Sequence, residues 1–309
     1  MKIDDKKIQN SIKQGVRFLK RNQNLNGSIC LNNDKTWDIW DTVHAIIALN
    51  EISNNKNTID KAINHIKNSQ RSDYSFFISS LYNKNQYCME TTPLCAYTLE
   101  YNNDNVEKII DFIFKKQKSD GSWDSGIPEI YQKYQNFPSV TGQVVRTLLK
   151  LNIKNSKVER AIDWLDKKQL KDGSWGSFFV YYDTPFYPMH VILESYKLMN
   201  MENSKKYRRA INYIKRVQNK DGSWYLDRKK REKPSKEHRT SLALYCLLIS
   251  PLDEDKSTID KGIKWLLKSQ KTDGSWAGGT FVGWPGKKED IYATSTSILC
   301  MKKYLDKKF

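Results

Sequence analysis

A chain of 309 residues that is 39% hydrophobic and 12% aromatic can build a core, which excludes an intrinsically disordered protein. Lysine and arginine number 52 against 35 acidic residues, a net charge of +17. No nucleic-acid reader motif accompanies that charge, so nucleic acid is set aside. A solvated surface, an anionic membrane or a phosphate-bearing ligand remain.

In chain order, the opening MKIDDKKIQNSIKQG lacks the apolar run of a signal peptide, and no later stretch is long enough for a transmembrane helix. A cytoplasmic protein, touching a membrane only peripherally, is expected. Five cysteines without Cys-x-x-Cys spacing argue against a disulfide framework. The dominant signal is Gln-x-x-Asp-Gly-Ser-Trp, at Gln117–Trp123, Gln169–Trp175, Gln218–Trp224 and Gln270–Trp276. Two worn copies precede these, headed by Gln23 (Ile29 in the Trp slot) and Gln70 (Gly and Trp both lost). The glutamines recur every 47 to 52 residues, the period of stacked supersecondary units. Six units follow, near 6–53, 57–102, 105–152, 156–201, 204–250 and 257–306, read as one domain.

Each unit begins with an amphipathic segment, as in Val158–Gln169, where Ala161, Ile162 and Leu165 share a helix face between charged residues. Asp-Gly then breaks the helix. After a variable loop comes a second, more apolar helix whose start carries hydroxyls or acids: Asp41-Thr42, Glu90-Thr91-Thr92, Ser139-Val140-Thr141, Asp183-Thr184, Thr240-Ser241 and Thr294-Ser295. These read as helix N-caps. The expected fold is all-α, an α6/α6 barrel (toroid) of six helical hairpins rather than an open solenoid, because neither terminal unit shows a polar capping face.

In such a barrel the inner helices run parallel and their N-termini meet at one mouth, favouring anions. Loops at that mouth are aromatic, including Tyr87, Tyr131, Tyr134, Phe186, Tyr187, Trp284 and Tyr292. Some rings would plug the loops; others would line an apolar pocket able to hold a hydrocarbon and, through their π faces, a cation.

These residues carry a resemblance. Gln-x-x-x-Gly-x-Trp after an outer helix is similar to the QW repeat of squalene–hopene and oxidosqualene cyclases and related class II terpene cyclases. Trp40-Asp41-Thr42 and Pro138-Ser-Val-Thr-Gly resemble the inner-helix starts of those enzymes. The resemblance covers the whole chain and implies structural roles for Gln117, Trp123, Gln169, Trp175, Gln218, Trp224, Gln270 and Trp276, the glutamine bonding backbone of a neighbouring unit and the tryptophan covering that contact. It also implies cyclisation of a polyprenyl chain or polyprenyl diphosphate, started by protonating an alkene through an Asp-x-Asp-Asp motif. The nearest match is Asp38-Ile39-Trp40-Asp41, with Trp40 at the middle acid. The proton donor is therefore sought among Asp38, Asp41, Glu90 and Asp183, of which Asp41, Glu90 and Asp183 also suit a helix cap. Trp40, Tyr87, Phe186, Tyr187, Trp284 and Tyr292 would contact substrate, and His238 and Arg239, beside the basic run 228–233, would grip a diphosphate. No metal or cofactor is required, Mg²⁺ entering only with a diphosphate substrate.

Two other readings stay open: a non-catalytic lipid- or peptide-binding scaffold barrel, and a polysaccharide lyase or hydrolase on the same toroid. Protein prenyltransferase and lanthionine cyclase zinc sites lack their ligands here, and no Asp-Asp-x-x-Asp metal motif occurs.

Overall fold

A computed structural model describes residues 3–81, 86–127, 137–176, 184–225, 235–251, 256–281, 284–288 and 290–307, with backbone alone at 280–281 and 284–287. Outer helices α1 (Asp5–Arg21), α3 (Lys56–Asn68), α5 (Glu107–Lys115), α7 (Ser156–Lys168), α9 (Lys205–Arg216) and α11 (Lys256–Ser269) alternate with inner helices. The inner set is α2 (Asp38–Asn50), α4 (Thr91–Glu100), α6 (Pro138–Lys150), α8 (Phe186–Leu198), α10 (Lys236–Ile249) and α12 (Asp290–Asp306). A short antiparallel hairpin, β1 (Thr280–Phe281) with β2 (Trp284–Lys288), precedes α12. Among the described residues no helix is long and apolar enough to cross a membrane.

The inner helices close a ring. Each touches the next, from α2 through α4, α6, α8 and α10 to α12, and α12 touches α2 again. Outer helix α1 packs on α12, so the first hairpin seals the last. Sequence pattern explains the two layers. Outer helices bury one stripe, such as Ala161, Ile162 and Leu165 in α7, and leave lysines in water. Inner helices are buried on nearly every face, as in α10, where His238 through Ile249 are all enclosed.

The repeated motif is a fastening between units. Gln270 Nε2 donates to Gly274 O (2.9 Å) within its own turn and to Ser11 O (3.0 Å) on α1. Gln117, Gln169 and Gln218 make the same pair of bonds, reaching Lys157, Lys206 and Thr258 on the next outer helix. Even the worn copy at Gln23 reaches Thr58 O (2.8 Å). Each tryptophan is wholly buried and donates Nε1–H to a carbonyl ten residues back, near the end of its own outer helix. The motif's Asp and Ser have a job that the sequence reading left unassigned. Asp273 Oδ1 accepts from Ser275 N and Oγ, closing an Asx turn, and Asp120, Asp172 and Asp221 do the same. Gly274 sits at φ +87° with Gln14 O only 2.5 Å from where a Cβ would stand. Backbone meets backbone there, so only glycine fits.

The expected N-caps at the inner-helix starts need correction. Thr42, Thr92, Thr141, Thr240 and Thr294 lie inside the first turns, and their hydroxyls accept from the backbone N–H of the residue in the Trp slot, Ile29, Phe76, Trp123, Trp224 and Trp276 respectively (2.9–3.1 Å). They tie inner helix to turn. Asp41 is likewise no cap: the cap position of α2 is Trp37, and Asp41 falls in the first turn.

Candidate functional site

Side chains from the first turns of the inner helices converge at the barrel centre. Tyr292 of α12 stacks on His44 of α2 (centroids 3.9 Å apart). Trp40, His238 and Tyr187 meet the same tyrosine edge-on at 5.6, 4.5 and 6.4 Å. All five are buried. That four inner helices present their first or second turns to one ring confirms that they run parallel. Phe186, beside Tyr187, is also enclosed.

Glu90 joins this hub from the start of α4. It occupies the cap position without capping. Its Oε1 instead accepts from the Tyr187 hydroxyl (3.0 Å) on α8, across the ring. Burial pushes the Glu90 carboxyl up to about 7, against the hydrogen bonds from Tyr187 and Ser139, which lower it. A carboxyl that titrates near 4.5 when unfolded therefore keeps its proton longer in the folded state. Its stabilising effect is complete below pH 4.5 and is lost as pH rises through about 7. Relative to Glu90→Gln, the wild-type protein should lose roughly 2–3 kcal/mol between pH 5 and pH 8. Urea unfolding of both proteins at the two pH values checks this; a pH-independent difference would refute it.

The other acids are placed differently. Asp38, wholly buried, accepts from Ser80 N (2.8 Å) and Ser80 Oγ (2.6 Å) and lies 3.1 Å from His65 Nε2 on α3. It anchors a loop and an outer helix, away from the hub contacts. Asp41 is also wholly buried, one turn before His44. Asp183 lies outside the described residues, as do Tyr131, Tyr134 and the basic run 228–233; of Trp284 only the backbone is described.

Two residues expected to contact substrate have neighbours outside the hub. Tyr87 packs edge-on against Phe112 of α5 at 5.2 Å, under the Lys116 ammonium, on the outer wall. Arg239 stacks on Tyr225 (5.2 Å), while its neighbour His238 turns into the hub. The two side chains point apart because successive helical residues are turned about 100° from one another.

Farther along the inner helices is a charged cluster that sequence reasoning missed. Glu194 of α8 accepts from Tyr245 (2.9 Å) and Lys150 (2.9 Å) and lies 3.4 Å from Arg146 Nη1. Burial alone would raise the Glu194 carboxyl, but Lys150 and Arg146 outweigh it and hold it well below the usual range. Burial, then Arg146, push His44 and His190 well below their ordinary values, so both imidazoles are neutral near pH 7. The available signal was an arginine and a glutamate embedded in apolar inner-helix runs, Val144-Val-Arg-Thr-Leu148 and Val191-Ile-Leu-Glu194. The hollow left beside this cluster is about 40 Å³.

The closed α/α toroid is the fold of terpene cyclase-type barrels. Residues 86–187 and 135–296 match the family model of the squalene-hopene cyclase C-terminal domain, and residues 3–84 match the prenyltransferase alpha-alpha toroid domain. The chain belongs to the squalene-hopene cyclase C-terminal domain family. A comparison with curated proteins gives no match. Among solved structures it is similar to the type II terpene cyclase MstE from Scytonema in complex with merosterolic acid A (TM-score 0.80, 16% identity, 98% of each chain). It also resembles ent-copalyl diphosphate synthase from Streptomyces platensis (TM-score 0.61, 14% identity, 86% of this chain and 49% of that one). A possible member of the GH105 family from Salmonella enterica shares the fold as well (TM-score 0.68, 14% identity, 100% and 96%).

Proposed function

We propose that this protein is a class II terpene cyclase-type enzyme that binds a polyprenyl chain and starts its cyclisation by proton transfer from Glu90. The single observation carrying this reading is the Glu90 carboxyl, buried at an inner-helix start, held by Tyr187 and titrating near 7. An ordinary glutamate carries its proton in well under 1% of molecules at pH 7, whereas one titrating near 7 is about half protonated. An alkene is a weak base, so the donor must hold its proton in a dry site until the substrate arrives. Trp40, Tyr187 and Tyr292 supply π faces that favour a carbocation over water. Once Glu90 has given up its proton, its carboxylate sits opposite the new positive charge and remains hydrogen-bonded to Tyr187.

MstE was solved with geranylgeranyl dihydroxybenzoate, which supports an isoprenoid as the first substrate class to test. We place the activity in the cytoplasm on one domain, its basic surface resting against an anionic membrane where apolar substrates gather. The chemistry needs no cofactor; a diphosphate substrate would bring Mg²⁺ with it.

One observation favours the second reading, a non-catalytic binding or scaffold barrel. Ligand pockets for molecules of this size run to roughly 300–1,000 Å³, and the described hollow is about 40 Å³. The test is incubation with farnesyl diphosphate, geranylgeranyl diphosphate, squalene and geranylgeranyl dihydroxybenzoate, followed by mass spectrometry of the products. A cyclic product from any of them supports the enzyme; folded protein that converts none leaves the scaffold reading.

A further inference from the structure

The hollow beside Arg146 is lined by four basic side chains from three inner helices: His44 of α2, Arg146 and Lys150 of α6, and His190 of α8. Thr147 and Tyr245 add hydroxyls, and no carboxylate is among the lining residues. Glu194 sits behind, engaged by Arg146, Lys150 and Tyr245. Two cations against one carboxylate leave the cluster positive. Lys303, whose ammonium lies 5.4 Å from the Tyr245 ring, adds to that charge.

A purely structural ion cluster would use its donors up. This one does not. Arg146, 8% exposed, spends one N–H on Glu194 and one on Gln143 (2.7 Å), two of the five a guanidinium carries. His44, 6% exposed, keeps its Nε2 buried without a hydrogen bond among the described residues. Leaving a buried group such as His44 Nε2 unsatisfied costs about 1–3 kcal/mol, which a ligand with a matching polar atom would recover. The hollow, about 40 Å³, holds about three waters, which suits one compact group. It opens toward the C-terminal ends of the inner helices, where Ile47, Tyr97, Lys150 and Leu299 are half-buried. This is the end away from Glu90.

We propose that this hollow is an oxyanion-binding site, taking a single carboxylate or phosphate group between the Arg146 guanidinium and the Lys150 ammonium. The planar fork of Arg146 suits two oxygens of one group, and Lys150 supplies a point charge at the rim. A cation fits poorly, because the described lining offers donors and positive charge and no carboxylate.

The test is calorimetric titration of the full chain with inorganic phosphate and, separately, with acetate, at constant ionic strength. At least one should bind with a Kd of about 1 mM or tighter, and Lys150→Gln should weaken it about tenfold. Arg146→Lys, which keeps the charge and loses the fork, should do the same. Binding of phosphate alone or acetate alone identifies the chemistry. Lys20→Gln, on the exposed end of α1, should change nothing. Failure of both anions to bind the wild-type protein overturns the proposal, as does binding that neither Lys150→Gln nor Arg146→Lys weakens. Glu90→Gln should bind the anion as the wild-type protein does, so the site stands or falls apart from the cyclase reading.

Discussion

Trp276→Ala is expected to destabilise the barrel by about 3–5 kcal/mol, the cost of deleting a large aromatic from a packed core. Two losses combine at this position, the packing of the ring and its hydrogen bond. The ring is wholly buried and its Nε1 donates to Leu266 O (2.8 Å), a carbonyl near the end of α11 that loses its partner when the indole goes. Its backbone N–H, bonded to Thr294 Oγ1 (3.0 Å), survives the substitution, so the tie between turn and inner helix α12 is kept. A Cβ placed on Gly15 would stand 3.1 Å from Trp276 Cζ3, so the indole lies directly on α1. Trp276 therefore belongs to the contact that closes the ring, beside the Gln270 bonds to Ser11. Against a total stability of about 5–15 kcal/mol, the loss is a large fraction. Urea unfolding followed by tryptophan-independent far-UV dichroism reads it. A midpoint within about 0.5 kcal/mol of wild type would mean that closure is held elsewhere.

Glu90→Gln carries the largest expected effect on activity: a fall of about 10²- to 10⁴-fold in kcat with KM nearly unchanged, the range for removing a general acid. Glutamine keeps the size and can still accept from Tyr187, so the hub should stay packed. In the wild-type enzyme kcat should decline as pH rises through about 7, because Glu90 then loses the proton it must donate. Asp38→Asn provides the contrast. Its bonds to Ser80 and its contact with His65 are structural, so it should lower stability more than kcat. If Glu90→Gln turns over at the wild-type rate while Asp41→Asn is inactive, the proton comes from Asp41 and the assignment here is wrong.

What the sequence determined by itself was the repeat and its period. Helix periodicity, the Asp-Gly turns and the spaced Gln and Trp depend on local spacing, so they survive as pattern in a single chain. That sufficed for six hairpins and for the toroid, because a hairpin with one apolar stripe outside and an all-apolar partner inside has few ways to bury both. What the tertiary structure decided was which side chains face each other across the ring. Glu90 and Tyr187 lie 97 residues apart and meet only because α4 and α8 are placed on one hub. Lys150 and Arg146 reach Glu194 because α6 packs on α8, and His65 reaches Asp38 because α3 packs on α2. An acid at a helix start looks alike in sequence whether it caps, anchors a loop or holds a proton. The difference lies in burial and in the donors brought to it from other helices, and those are properties of the closed ring.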